Sequence, residues 1–278
     1  MKSAASLVSL LVCLFLAGCG AVPKQPSPGP SASLVPGVSA PSPTPTPTPP
    51  PPGSASSPGA TTTCPKGQYD MLDWSTLDPD LASGYHLEGN ANPLYTVVEK
   101  DKFYWVKSAT GYPWDIQLTD NKNIYLWVTE QSWSDPYTFK KSHNNTNMPL
   151  TSRCATPGQP GTAVRSTDTS FEIVAGCKTQ KVSNLGTMLN EIWGPTKMNH
   201  GGDIPGNTDT ITVSYRYDCA PGEQQCQDRE EFFLTQRYGL VRWDHAKLQS
   251  DGSYKVDNVT VYNKLVAGGP PAPVFPCH

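Results

Sequence analysis

The chain has 278 residues, 37% of them hydrophobic and 16% charged, with a formal net charge of −3 at pH 7. This slightly acidic balance argues against a nucleic-acid partner, because such partners are bound by strongly basic surfaces. Eight cysteines and 29 prolines are spread unevenly along the chain. Their distribution divides it into three segments.

Residues 1–18 have the features of an export signal. Lys2 supplies a positive start, and the apolar run from Leu7 to Ala17 has signal-peptide length. That run is too short to cross a bilayer as a helix. The first segment is therefore predicted to be a signal peptide and not a membrane span.

The signal ends in Leu16-Ala17-Gly18-Cys19, which resembles the lipobox of bacterial prolipoproteins. The resemblance implies cleavage before Cys19, lipid on that cysteine, and attachment to a membrane through the lipid. Gly20 stands where family members kept at an inner membrane often carry Asp, so the resemblance implies the outer membrane if the host is Gram-negative. The alternative is an ordinary secretory signal in which the cysteine occurs by chance.

Residues 19–63 are predicted to form a disordered tether. From Gly20 to Thr63 the chain has fourteen prolines, many serines and threonines, one lysine and no acidic residue. Such a composition cannot bury a core and favours polyproline II, which at about 3.1 Å per residue reaches roughly 130 Å when fully extended. We interpret the segment as a spacer between lipid and domain, with docking of its proline run into an aromatic groove as the less favoured alternative.

Residues 64–278 are long enough for one core and are predicted to form a single disulfide-bonded domain. Their even number of cysteines in an exported chain predicts three disulfides and not a metal site, since no Cys-x-x-Cys pair is present. A hairpin loop predicts the pair Cys219–Cys226. Joining the two ends of the domain would then pair Cys64 with Cys277 and Cys154 with Cys177. The six cysteines are Cys64, Cys154, Cys177, Cys219, Cys226 and Cys277.

Alternating apolar and polar residues predict strands through most of this domain. Turn residues between them, such as Asp120–Asn123 and Asp251-Gly252, predict hairpins. The fold class is accordingly an all-β antiparallel sandwich or jelly roll with long loops at 140–165 and 194–210. One short helix is expected over Leu185–Ile192, with Asn184 as its N-cap and Gly194-Pro195 ending it. The predicted strands are 94–98, 103–106, 114–119, 124–129, 211–217, 241–248 and 254–262.

The sequence contains no stock catalytic signature, but two carboxylates brought together by a fold would suffice to cleave a glycan. Glu130 and Asp135 flank Trp133 at the end of a predicted strand and are the candidate acid and base. Solvated turn residues are the commoner explanation for such charges. A Gly-rich stretch containing Asp203, Asn207 and Asp209 is the candidate calcium loop, although its spacing matches no known ion loop. A plain polar loop is favoured there, and no cofactor is predicted.

Aromatic content is the most suggestive feature, since all seven tryptophans fall in the domain. Indole and phenol rings stack on the C–H faces of sugars, and nearby polar side chains bind the hydroxyl groups. Tyr112, Trp114, Asp115 and Trp133 are the predicted ligand-binding residues, with both tryptophans expected to be exposed. Many of the domain's aromatics must nevertheless pack in the core.

Three functions remain open. The favoured one is a lipid-anchored binding module for carbohydrate or another extracytoplasmic ligand. The second is a glycan-active hydrolase or lyase, and the third is a structural or protein-interaction lipoprotein of the envelope.

Overall fold

The computed structural model describes residues 64–99, 102–107, 111, 113–130, 139–142, 148–156, 164–219 and 226–272. The signal and the tether lie outside these ranges. The two helices are α1 (Met71–Ser75) and α2 (Pro79–Ala82). The strands are β1 (Tyr69–Asp70), β2 (Tyr85–Gly89), β3 (Tyr95–Glu99), β4 (Lys102–Val106), β5 (Pro113–Thr119), β6 (Asn123–Glu130), β7 (Phe139–Ser142), β8 (Met148–Ser152), β9 (Cys154–Ala155), β10 (Val164–Ala175), β11 (Lys178–Met198), β12 (Thr208–Cys219), β13 (Cys226–Thr235), β14 (Gly239–Leu248) and β15 (Tyr254–Ala267).

The all-β antiparallel class is confirmed. One 13-stranded sheet runs in the order β2-β15-β14-β13-β12-β11-β10-β7-β6-β5-β4-β3, with β8 also paired to β6, and β1 pairs separately with β9. All of these pairings are antiparallel, and each predicted strand lies within an observed one or overlaps it closely. The first and last strands of the order meet through a bridge in which Leu87 and Leu94 exchange hydrogen bonds of 3.0 and 2.7 Å.

Two parts of this sheet face each other across the main core. Phe232 on β13 stacks on Trp105 of β4 and on Trp114 of β5, with ring centroids 5.5 and 6.0 Å apart. Strands β4 and β13 are far apart in the strand order, so their side chains meet only because the sheet places one layer over the other. These aromatic contacts make the core continuous between layers, as in a sandwich.

The segment containing α1 closes one end of this core. Asp70 caps the helix by accepting a hydrogen bond from the Leu72 N–H at 3.0 Å, and it also forms an ion pair with the buried Arg153. Met71 and Trp74 join the core cluster of the sheet. Trp105 donates a 3.0 Å hydrogen bond from Nε1 to the Ser75 carbonyl, so this apolar end also satisfies its buried polar groups.

The disulfides confirm one predicted pairing and overturn the other two. Cys219 and Cys226 are bonded across the β12–β13 hairpin, as expected. Cys64 is bonded to Cys154, so the proposed pairs Cys64–Cys277 and Cys154–Cys177 are wrong. The reason is the pairing of β1 with β9, which brings Cys154 to the beginning of the domain. Cys177 is disulfide-bonded as well, and these bonds indicate an oxidising, extracytoplasmic environment.

The predicted helix over Leu185–Ile192 is wrong, because this segment belongs to strand β11. Apolar residues spaced three and four apart favour a helix, but a helix of eight residues is marginal in isolation. Strands β10 and β12 pair with opposite edges of β11 and satisfy its backbone groups instead. The predicted long loops are also shorter than expected, since strands occupy parts of 140–165 and residues 194–198.

Candidate functional site

The inner face of the second layer changes from apolar to polar along its strands. In one cross-strand row Val213, Phe232 and Trp243 lie side by side, and in the next row Tyr215, Glu230 and His245 do so. This polar row lies opposite the ends of β4 and β5, and together they form what we call the polar end of the core. Its side chains are Lys107, Trp114, Asp115, Tyr215, Tyr217, Asp228, Glu230, Trp243 and His245.

A β-bulge directs two residues of β5 into the polar end. Trp105 pairs with Asp115 and Val106 pairs with Pro113, which leaves Trp114 as an extra residue on β5. Trp114 is only 7% exposed and its ring stacks 5.6 Å from that of Trp105, while Asp115 is 4% exposed. The prediction that Trp114 is exposed is therefore wrong, since strand alternation could not reveal the bulge.

Lys107 places its ammonium group against the indoles of the polar end. Its Nζ lies 3.1 Å from the ring centroid of Trp114 and 5.6 Å from that of Trp243. Lys107 is 5% exposed, so this cation is largely removed from water and the attraction to the rings is strengthened. The ring face of Trp114 is thereby occupied by a side chain of the protein itself.

Glu230 accepts hydrogen bonds at both of its carboxylate oxygens. The Tyr217 hydroxyl donates to Oε1 at 3.0 Å, and the Trp243 indole N–H donates to Oε2 at 2.8 Å. Burial, and then the nearby Glu230 carboxylate, raise the pKa of Tyr217, so its hydroxyl stays protonated and remains a donor. These contacts fix Glu230 between two groups that do not ionise near neutral pH.

Tyr215 lies deeper in the same cluster. Burial raises the pKa of its hydroxyl well above the usual value, and the negative charges of Asp115 and Glu230 raise it further. The tyrosine therefore presents a neutral hydroxyl between carboxylates contributed by two different layers. Such an arrangement suits hydrogen bonding and not proton transfer near neutral pH.

His245 lies at the margin of the polar end, between two carboxylates. Its Nε2 is 3.1 Å from Asp228 and its Nδ1 is 2.5 Å from Asp257. The ring is therefore held at both nitrogens by carboxylates from β13 and β15. The hydrogen bond to His245 in turn lowers the pKa of Asp257.

The outer face of β11–β15 has a different character. Trp193 is 41% exposed and is the only aromatic side chain classed as exposed in the described part of the chain. It begins a row of directly paired residues, which share one face of the sheet because paired strand residues point to the same side. That row consists of Trp193, Thr212, Phe233, Arg242 and Val261.

A second row lies beside the first on the same face. It consists of Glu191, Ser214, Glu231, Asp244 and Val259. We call the two rows together the Trp193 face. Val259 is 38% exposed, so apolar surface is available at both sides of the face.

The charged groups of the Trp193 face are paired with one another or with the next row. Asp244 accepts two hydrogen bonds from Arg242, at 2.7 and 2.6 Å, and the Arg242 guanidinium also lies 4.9 Å from the ring of Phe233. Arg216 donates to Glu191 at 2.5 Å, and Arg229 lies 3.6 Å from Glu231. Each acid on the face thus has a guanidinium partner.

His200 lies beside this face, with Nε2 2.8 Å from the Thr210 hydroxyl. Burial lowers the pKa of His200, and the positive charge of Arg242 lowers it further. The ring is therefore neutral at pH 7, and it adds no charge to the face.

The remaining sequence candidates are placed as follows. Asp203 accepts a hydrogen bond from the Leu265 N–H at 3.0 Å, Asp209 forms a 2.8 Å ion pair with Lys197, and Asn207 has a left-handed φ of 58°. The structure therefore gives the candidate calcium loop local partners, and the described residues include no cluster of three or more His, Cys, Asp or Glu side chains suited to a metal.

Four predicted site residues cannot be placed by their side chains. Glu130 is the last residue of β6 and follows Thr129, which pairs with Asp115. Its side chain lies outside the described part of the structure, as do Tyr112, Trp133 and Asp135.

Sequence reasoning missed Trp193 as a surface residue and Glu230 as a site residue. The misassigned helix concealed Trp193, although Glu191 and Trp193 two positions apart already fit one face of a strand. Tyr215 and Tyr217 showed the same spacing within a strand that was predicted correctly. Only the pairing of β12 with β13 places Glu230 beside them.

The chain matches no protein-family model, no curated protein and no solved structure. Over the described residues, no helix is long and apolar enough to cross a membrane.

Proposed function

We propose that this chain is an exported lipoprotein, anchored by lipid on Cys19, whose β-domain binds carbohydrate through the Trp193 face. The disulfides support an extracytoplasmic location, and the Leu16–Cys19 motif supports the anchor. The proline-rich segment would then hold the domain away from the membrane, at the outer membrane if the host is Gram-negative.

The exposed indole of Trp193 is the observation that carries the binding proposal. An indole on a sheet face offers a flat surface on which a sugar ring can stack its C–H groups. On the same face the side chains of Glu191, Glu231 and Arg242 are 16%, 23% and 36% exposed and offer acceptors and donors for sugar hydroxyls. Exposed aromatic surface next to fixed polar groups is typical of a binding surface.

Binding is favoured over glycan cleavage because of the state of the converging carboxylates. Asp115 and Glu230 approach Tyr215 from two layers, as the two acids of a glycosidase would. Asp115 is buried, however, and both oxygens of Glu230 accept hydrogen bonds from neutral donors. These features support a role in holding the core together.

The test is retention of the oxidised full-length chain on an array of polysaccharides, with released product measured in parallel. Trp193→Ala is expected to weaken retention about fivefold, since aromatic contacts contribute about 1 kcal/mol. Trp193→Tyr should keep most of the affinity. Val98→Ala, at an exposed position on β3, is the matched control and should bind like the wild type.

Two outcomes would count against this function. If no polysaccharide is retained, the carbohydrate proposal fails and envelope proteins become the partners to test. If sugar is released and Trp193→Ala leaves that release intact, the protein is an enzyme acting through another site.

The anchor is tested separately. Cys19→Ser is expected to move the protein from the membrane fraction to the soluble extracytoplasmic fraction and to abolish incorporation of labelled palmitate. Persistent membrane association of the unlabelled variant would show that Cys19 is not the anchor.

A further inference from the structure

We infer that the Trp193 face selects uncharged glycan chains and that the bound chain runs across the strands, from Trp193 on β11 towards Val261 on β15. This inference rests on the proposed carbohydrate function and specifies the ligand class and its direction.

The charged side chains of the Trp193 face are paired. Glu191, Glu231 and Asp244 are matched by Arg216, Arg229 and Arg242, so the charges cancel within the face and its border. The acids are 16%, 23% and 5% exposed, which means that each is already satisfied and shielded by its partner. A uronic acid chain would have to break these pairs to find a cation. A neutral sugar needs only hydrogen bonds to their outer edges.

The neighbouring histidine does not alter this balance. His200 has a lowered pKa and is neutral at pH 7, so it offers no positive charge to an acidic sugar. The selection against acidic chains therefore follows from the arrangement of the face as a whole.

The direction is inferred from the row that begins at Trp193. The row from Trp193 to Val261 crosses five adjacent strands, a span of about 19 Å at the usual strand spacing of about 4.8 Å. Only one residue of this row, Arg242, is charged. Along β11, by contrast, the charged Glu191 lies two residues before Trp193. Phe233 is only 8% exposed and lies under the Arg242 guanidinium, so the row offers apolar surface at its two ends, at Trp193 and at the half-buried Val261.

Ligand class is tested with two matched pairs of polymers: β-1,4-glucan with its C6-oxidised form, and β-1,4-mannan with polymannuronate. The full-length chain should retain a neutral member at least tenfold more tightly than its acidic counterpart. Retention should not change between about 0.05 and about 0.5 M salt, because no charges are exchanged. Glu231→Gln, which removes the partner of Arg229, should increase retention of the acidic member and make it salt-dependent.

Direction is tested by adding a second indole. Val261→Trp should strengthen neutral-chain binding several-fold, because it lies at the far end of the same row. Val182→Trp introduces an equally exposed indole elsewhere on β11 and should change nothing.

The failures can be told apart. If acidic chains bind as tightly as neutral ones and Trp193→Ala weakens them, the carbohydrate function stands and the inferred selectivity is wrong. If Glu231→Gln does not increase retention of the acidic polymer, the ion pairs do not determine the selectivity. If Val182→Trp strengthens binding while Val261→Trp does not, the inferred direction of the chain is wrong. If neither member of any pair is retained, the proposed function itself fails.

Discussion

The polar end of the core and the Trp193 face contain the same kinds of side chain, but they differ in what occupies their aromatic rings. At the polar end Trp114 is 7% exposed and Lys107 covers its ring, whereas Trp193 is 41% exposed. Both regions also hold carboxylates, and in both these are engaged by partners from the protein. Residue type therefore indicates which side chains could form a site, whereas burial determines whether a ligand can reach them.

Replacing Trp114 and replacing Trp193 should have very different effects on the free energy of unfolding. Trp114→Ala removes a buried ring that stacks on Trp105 and Phe232, so we expect it to lower the free energy of unfolding by about 3–5 kcal/mol. Trp193→Ala should change it by less than about 0.5 kcal/mol while weakening glycan retention. Urea denaturation of both variants measures the contrast. Equal destabilisation would mean that Trp193 also belongs to the core.

The second prediction concerns the carboxylate at the polar end. Glu230→Ala leaves the Tyr217 hydroxyl and the Trp243 indole N–H without their acceptor, so stability should fall by about 1–3 kcal/mol. In the double variant with Tyr217→Phe one of these donors is absent, and the loss should be smaller than the sum of the two single losses. Strict additivity in urea denaturation would contradict the hydrogen-bonded cluster.

The third prediction tests the ammonium group over Trp114. Lys107→Met keeps a similar stem but removes the charge, and we expect a loss of about 0.5–2 kcal/mol together with a change in tryptophan fluorescence. Lys122→Met, at an exposed turn position, is the control and should leave both quantities unchanged. If Lys107→Met is more stable than the wild type, then burial of the ammonium group destabilises the fold by more than its contact with the Trp114 ring stabilises it.

The same comparison explains which features the sequence could predict. Alternating residues located the strand around Tyr215, because that pattern depends only on which face is buried, and dense β-branched and aromatic residues located the strand at Ile124. The pairing of β1 with β9 and of β10 and β12 with β11 is set by contacts between distant segments, so the Cys64–Cys154 bond and the strand at Leu185 were not predictable. The bulge at Trp114 is likewise a property of the β4–β5 pairing. Trp114 and Asp115 were predicted as site residues from their side-chain types, whereas Trp193, Glu230 and the burial of Trp114 depend on how the strands pair.

The smallest expected effect is a pH dependence at the edge of the Trp193 face. The pKa of His200 is lowered from 6.5 by burial and by Arg242, so the unfolded chain takes up a proton more readily than the folded one. The neutral form of His200 therefore contributes its full stabilisation above about pH 6.5, and this stabilisation is lost as the pH falls through the pKa of the folded state. Urea midpoints at about pH 7.5 and about pH 5 should fall further for the wild type than for His200→Gln. Because all other groups are the same in both proteins, the difference between the two isolates His200. A larger fall in the variant would mean that His200 is stabilised in its charged form, and the face would then carry the positive charge that its paired arginines do not offer.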